Sequence, residues 1–309
     1  MSDNVKKMSF QLDVSDFLPA NQEEKESLVV MRESIGFWHN GFNRLKKNKI
    51  AMISLFVIIL TLIFAFIAPS FYPYSYEQQI RGSEDLAPMQ YSEQELAAKA
   101  AGEKVFPHFV GTDALGRDTT IRLMMGSRIS LLVGIVASVL VLLIGSIYGA
   151  TSGFLGGKVD VFMMQIVDVI YAIPDILIII ILMVSLKYPL QNLANTVPGF
   201  QWINTIGVGL ICIFIVFSLL YWVGMARIVR SQILSLKEQE YVTAARALGA
   251  SNTRIIGKHL LTNVIGTLIV TTTLQIPSAI FTESFLSFIG IGVSAPMPSL
   301  GSMASTAIG

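Results

Sequence analysis

Three histidines, one cysteine and a few charges buried in apolar runs are what this chain offers for chemistry. His39, His108 and His259 fall in separate segments and no His-Glu-x-x-His occurs, so no metal site is expected. No G-x-S-x-G nucleophile elbow is present. A phosphate-binding loop requires G-x-x-x-x-G-K-[ST]. The nearest stretch puts Ser152 where the first glycine belongs and Val159 where the final hydroxyl belongs, around Gly157 and Lys158. ATP, if used, is then bound by another subunit. Cys212 stands alone in an apolar run, can form no internal disulfide, and reads as a small packing residue. What remains is charge where charge is costly. Arg128 opens one apolar run, Asp168 and Asp175 flank Pro174 in another, and Glu283 lies well inside the last. A carboxylate in lipid costs on the order of 3 kcal/mol, so each must face protein, water or a partner. These four residues are candidates for a translocation path or for polar contacts between helices, with Arg128 a partner for a carboxylate.

The elements that hold them are membrane spans. Hydrophobic residues make up 53% of the 309 and charged ones only 14%, with a mean hydropathy of +0.63. Soluble domains average about 25% charged residues, so the chain reads as an all-α polytopic membrane protein. A net charge of +1 excludes the basic face of a nucleic-acid binder. No cleavable signal is visible, because the first apolar run starts too late. That run, residues 50–68, is uncharged and spans about 29 Å, close to the hydrocarbon thickness. Pro69 and Pro73 stop it. Four more spans read over residues 129–150, 159–186 (kinked at Pro174), 206–225 and 264–291. Gly145-x-x-x-Gly149 on the second is a close-packing motif, serving either intrachain or subunit contact.

Basic residues orient the spans. Eight Lys and Arg precede the first span and six lie between the fourth and fifth, against Lys187 alone between the third and fourth. The amino terminus and the segment before the fifth span are therefore expected in the cytoplasm. The chain divides into a cytoplasmic tail (1–45), the first span (46–68), an extracytoplasmic loop or cap (69–125) and a core (126–309). In the tail, Ile35, Phe37, Trp38, Phe42 and Leu45 with neighbouring basic residues suggest an interfacial helix. In the loop, Ser92-Glu-Gln-Glu95 is a capping box opening a short helix that Gly102 stops. That loop is either a folded cap or a docking site for a delivery protein.

The segment before the fifth span, about 230–262, is a polar island: Glu240-Tyr-Val-Thr-Ala-Ala-Arg-Ala-Leu-Gly249-Ala-Ser-Asn-Thr-Arg-Ile-Ile-Gly-Lys-His-Leu-Leu-Thr262. Tyr241, Ala245 and Leu248 share one helical face. Ala244, Ala245 and Ala247 keep the helix slim, Gly249 ends it, and Ser251 or Asn252 caps the next. Read on its own, the island is either an ordinary connector or a contact for another protein.

The run Tyr-Val-Thr243-Ala244-Ala245-Arg-Ala-Leu-Gly249-Ala250-Ser251 resembles the signature loop of bacterial ABC-importer permeases, Glu-Ala-Ala followed by three residues and Gly. Thr243 stands where the family usually has Glu, and Thr262 where it usually has Pro; Glu238 and Glu240 are the neighbouring acids that would supply acidic contacts instead. Further stretches are similar to the second permease subunit of the dipeptide/oligopeptide family: Gly111-Thr-Asp-Ala-Leu-Gly-Arg-Asp118, Gly126-Ser-Arg-Ile-Ser-Leu-Leu-Val-Gly134, Ser152-Gly-Phe-Leu-Gly-Gly-Lys-Val-Asp160, Glu283-Ser-Phe-Leu-Ser-Phe-Ile-Gly-Ile-Gly292 and Pro298-Ser-Leu-Gly-Ser-Met303. They run in order from about Phe37 to the end.

The resemblance implies an ABC-importer permease bundle in the bacterial cytoplasmic membrane that carries di- or oligopeptides. It implies a non-catalytic subunit that binds no cofactor itself, with ATP and Mg on two cytoplasmic ATPases. A second homologous permease and an extracytoplasmic substrate-binding protein complete the set of partners; no nucleic acid is among them. The island would be the coupling helix in an ATPase groove, through Glu238, Glu240, Tyr241, Ala244, Ala245, Gly249 and Ala250. The family has a sixth span, so the chain is expected to lack its last helix. Alternatives are import of nickel, glutathione or another small solute by the same architecture, or an ATPase-independent transporter or scaffold.

Overall fold

The computed structural model describes residues 37–293 and 295–308. Ile35 and the tail before it lie outside the described residues. Two compact units divide the chain, Met1–Ile59 and Leu60–Gly309.

In the first unit, α1 (Phe37–Lys47) carries Arg44, Lys46 and Lys47 in its last turn, where cations complement the helix dipole. The Lys46 ammonium sits 4.6 Å from the centre of the Phe42 ring. Asn48 then starts α2 (Lys49–Leu62), its Oδ1 accepting from the Ile50 and Ala51 amides at 3.1 and 3.2 Å. No residue of α2 is buried. Its apolar surface suits lipid, which has no polar groups to satisfy.

The second unit begins in the last turns of that span, a π turn (Ile63–Ile67) and a 3₁₀ turn (Ala68–Phe71). Arg128 reaches back to this π turn. Its Nε donates to the Ala65 carbonyl at 2.9 Å and its guanidinium to Phe66 O at 3.1 Å. Arg128 thus makes a polar contact between helices, to main-chain carbonyls and not to the carboxylate it was a candidate for.

Between the first two spans the chain folds into a cap. The capping box at Ser92 forms as expected and starts α3 (Glu93–Ala100), and Gly102 follows at φ +90°. His108 is fully buried between two carboxylates, with Nδ1 2.6 Å from Asp118 Oδ2 and Nε2 2.9 Å from Glu95 Oε1. The Tyr74 ring stacks on it at 4.6 Å. Both ring nitrogens thus lie within hydrogen-bond distance of a carboxylate oxygen, so the ring links α3 to the start of the next helix. Asp118 in turn caps the next helix by accepting from the Ile121 amide at 2.9 Å.

That helix, α4 (Thr119–Leu155), is the hub of the unit. It is followed by α5 (Gly157–Ala172), α6 (Asp175–Thr196), α7 (Trp202–Ile206), α8 (Val208–Leu220) and α9 (Trp222–Leu236). Then come α10 (Glu240–Ala247), α11 (Asn252–Arg254), a π turn (Ile255–Leu260), α12 (Leu261–Asn263), α13 (Ile265–Phe288) and α14 (Leu300–Ile308). Five stretches are long and apolar enough to cross a bilayer: Lys49–Phe71, Thr119–Leu155, Asp175–Thr196, Val208–Leu236 and Ile265–Phe288. Among the described residues there is no strand, only an isolated bridge between Thr112 and Asp118.

Small residues let α4 and α9 touch. A Cβ on Gly145 would meet Met225 Cβ at 2.6 Å, and one on Gly153 would meet Arg230 O at 2.9 Å. On Gly149 it would press closer still on the Ala226 carbonyl. The Gly-x-x-x-Gly motif is thus an intrachain seam, one repeat longer than the sequence suggested. Pro174 does more than kink the third span. Ile173 is extended (φ −89°, ψ 134°), and α6 restarts at Asp175 as a separate helix. The missing amide of proline and its clash with the preceding residue account for the break.

Candidate functional site

The polar island forms the expected helix, break and helix. The α10 helix ends in a Schellman motif, with Gly249 at φ +78°. The Gly249 amide donates to Arg246 O at 2.9 Å and the Ala250 amide to Ala245 O at 3.0 Å. Ser251 caps α11, its Oγ accepting from the Arg254 amide at 3.4 Å.

Four contacts hold this element to the bundle. Val242 is fully buried, in a core cluster with Phe154, Ile233 and Ile255. The Arg246 guanidinium lies 5.0 Å from the Phe154 ring centre. The Asn263 amide donates to Tyr241 Oη at 3.2 Å. Just upstream, Lys237 Nζ donates to Gly153 O at 3.1 Å, at the end of α4. The inward face is therefore that of Val242 and Ala245, with Ala250 packed beside it. Outward project Glu238, Glu240, Ala244 and Gly249, all exposed, and Leu248, 89% exposed. Tyr241 is partly exposed, and Ala245 and Ala250 are half-buried. The seven coupling candidates thus share one small element, two of them on its packed side. Neither Glu238 nor Glu240 forms an ion pair among the described residues.

Behind the island lies a lock that sequence reasoning missed. Asp160, buried at the start of α5, accepts from Arg230 Nε and Nη2 of α9 at 2.5 Å each and from Ser152 Oγ of α4 at 2.5 Å. Bidentate guanidinium–carboxylate pairs fix orientation as well as distance. The end of α4, the start of α5 and the middle of α9 are clasped at one carboxylate. Asp160 and Ser152 ended one of the quoted motifs, but the partner Arg230 is 70 positions away, so no local pattern could have found the pair.

The four charges in the apolar runs are not brought together. Glu283 is fully buried and bonded by Ser130 Oγ at 2.8 Å and Ser287 Oγ at 2.7 Å, which ties α13 to α4. Asp168 pairs with Arg227 at 2.6 Å on an exposed face. Asp175 is exposed and lines a cavity of about 570 Å³ at the Ile173–Pro174 break, beside Tyr171, Tyr221 and Gln275.

A short helical element fixed on a rigid base between two spans can pass a push from outside into the bundle. Comparison with known proteins agrees with a transport role. Residues 142–309 match the family described as the inner membrane component of binding-protein-dependent transport systems. Residues 36–88 match the N-terminal transmembrane domain of oligopeptide transport permease C. The chain is 39% identical over 289 residues to an oligopeptide transport system permease protein of Bacillus subtilis, covering 94% of this chain and 83% of the relative. It is 40% identical over 286 residues to a dipeptide transport system permease protein of the same organism, covering 92% and 78%. An oligopeptide permease protein of Escherichia coli K12 is 35% identical over 273 residues, covering 88% and 79%. The chain therefore belongs to the family of inner membrane components of binding-protein-dependent transport systems.

Proposed function

We propose that this chain is a transmembrane subunit of an ATP-driven importer of di- or oligopeptides in the bacterial cytoplasmic membrane, with its amino terminus in the cytoplasm. The observation that carries the reading is the island: α10 is pinned from beneath by Val242 and Arg246, while Leu248 and the small Ala244–Gly249 edge stand free. An ATPase groove receives that edge by shape. Leu248 supplies the apolar contact, and Glu238 and Glu240 supply acidic ones at the rim where the signature acid is replaced by Thr243. Closure of two ATPases around ATP and Mg draws this element toward its counterpart on a second permease. The Asp160–Arg230 clasp makes the end of α4, the start of α5 and the middle of α9 move with it, and the broken third span gives the bundle a place to flex. A binding protein on the opposite side delivers the peptide.

The test is Gly249→Val. The position has open space around its Cβ but a left-handed backbone, so the substitution distorts the turn at about 1–2 kcal/mol without disturbing the core. In proteoliposomes holding the complete complex, the variant is expected to insert and assemble but to hydrolyse ATP without peptide uptake. Wild-type coupling would sink the assignment.

A further inference from the structure

The cavity at the Pro174 break has a composition and a depth that call for a ligand. Tyr148 Oη donates to Met163 O at 2.8 Å, and Ser152 to Asp160 at 2.5 Å. These two contacts set α5 antiparallel to α4 in a fixed register. The depth of the cavity follows from its other walls: Tyr221 and Gln275, which line it with Asp175, stand near the middle of the apolar stretches Val208–Leu236 and Ile265–Phe288. An exposed carboxylate at that depth is untenable against lipid, so this face must meet water or another polar surface.

The lining carries no positive charge. Asp175 Oδ1 accepts from the Ile176 amide at 2.9 Å, and Asp175 forms no ion pair among the described residues. Arg227, on the neighbouring α9, is held by Asp168 at 2.6 Å, with its guanidinium carbon 4.1 Å from the Tyr171 ring centre. Around Asp175 the wall offers two tyrosines and the Gln275 amide, and the rest is apolar or backbone. Tyrosine faces attract cations, and about 570 Å³ is the size of a small-molecule site. Half-helices that stop and restart inside a membrane frame substrate sites in other transporters.

We propose that Asp175, with Tyr171, Tyr221 and Gln275, forms a transient subsite for the ammonium group of the transported peptide. The proposal rests on the peptide-import reading above. The carboxylate holds the charged end while the apolar wall accepts side chains, and the absence of a second charge keeps the grip weak enough to release.

The complete complex is purified with Asp175→Asn, Asp175→Glu or Asp175→Cys and reconstituted in proteoliposomes. Uptake of a labelled peptide carried by the wild type, trialanine first, is measured together with ATP hydrolysis. Asp175→Asn is expected to lower peptides moved per ATP about tenfold, and Asp175→Glu to restore most of it. The introduced cysteine is expected to react with a membrane-impermeant thiol reagent, and turnover with peptide to slow that reaction. An unchanged ratio in Asp175→Asn, or a cysteine that peptide does not protect, overturns the subsite. Loss of the second permease on purification of Asp175→Asn also overturns it, since Asp175 would then pair with that subunit. A wild-type complex that shows no ATP-driven peptide uptake removes the import reading instead.

Discussion

Replacing Asp160 should loosen three helices at once. Asp160 is buried and receives two hydrogen bonds from Arg230 and one from Ser152, all at 2.5 Å. A hydrogen bond to a charged group contributes about 1.5–3 kcal/mol net. Two from one guanidinium would total more, but the Arg230 side chain is 32% exposed and regains water once released, which discounts the loss. Asp160→Asn keeps the shape and removes the charge, so a destabilisation of about 2–3 kcal/mol is expected from that discounted sum. Arg230→Gln should cost about the same, because it leaves the buried carboxylate with Ser152 alone. The double variant should lose little more than either single one, giving a coupling energy of about 2 kcal/mol. The assay is thermal unfolding of all four proteins in lipid nanodiscs, scored by loss of the folded elution peak. Single-variant losses that add to within about 0.5 kcal/mol would show that the two groups act independently, and the clasp would have to be abandoned as a mechanical link.

Two further outcomes follow from the same geometry. Gly149→Val forces α4 off the Ala226 carbonyl and should destabilise by about 1–3 kcal/mol, whereas Gly266→Val, with open space around its Cβ, should change the unfolding temperature little; equal shifts would refute the seam. In the cap, burial alone would raise the Asp113 carboxyl, but the hydrogen bonds and charge of Arg117 outweigh it and hold the group below its ordinary value. A lowered folded-state value gives stability that is complete above about pH 3.9 and is lost as pH falls through the lower value. Wild type should therefore exceed Asp113→Asn by a constant margin from pH 8 to 5, with the margin vanishing in acid; a margin that grows in acid would contradict the assignment.

How much of this was legible beforehand depends on the range of each interaction. The capping box at Ser92, the glycine stop at Gly249 and the cap at Ser251 are local, made by residues within a few positions of one another, and the sequence spells them out. The spans are visible for a related reason: a bilayer requires continuous apolar runs whatever lies beside them. Composition, the absence of a phosphate loop and the ordered motifs together pointed to a transport permease without any coordinates.

Tertiary structure decided which way each residue faces and whom it meets. Val242 and Leu248 are both apolar residues of one short segment, yet one is fully buried and the other 89% exposed. Periodicity placed Tyr241, Ala245 and Leu248 on one face, but Ala245 packs inward while Leu248, the residue after α10, is exposed, because packing depends on where α4 and the turn after α11 lie. Arg128 was a cation in search of a carboxylate until the π turn at Ala65 and Phe66 supplied two carbonyls. Glu283, Asp160 and His108 are each satisfied by partners on other elements, whereas Asp175 forms no ion pair among the described residues. Sequence records the cost of placing a charge in an apolar run; only the packing of distant elements determines whether that cost is met within the chain or left for a ligand.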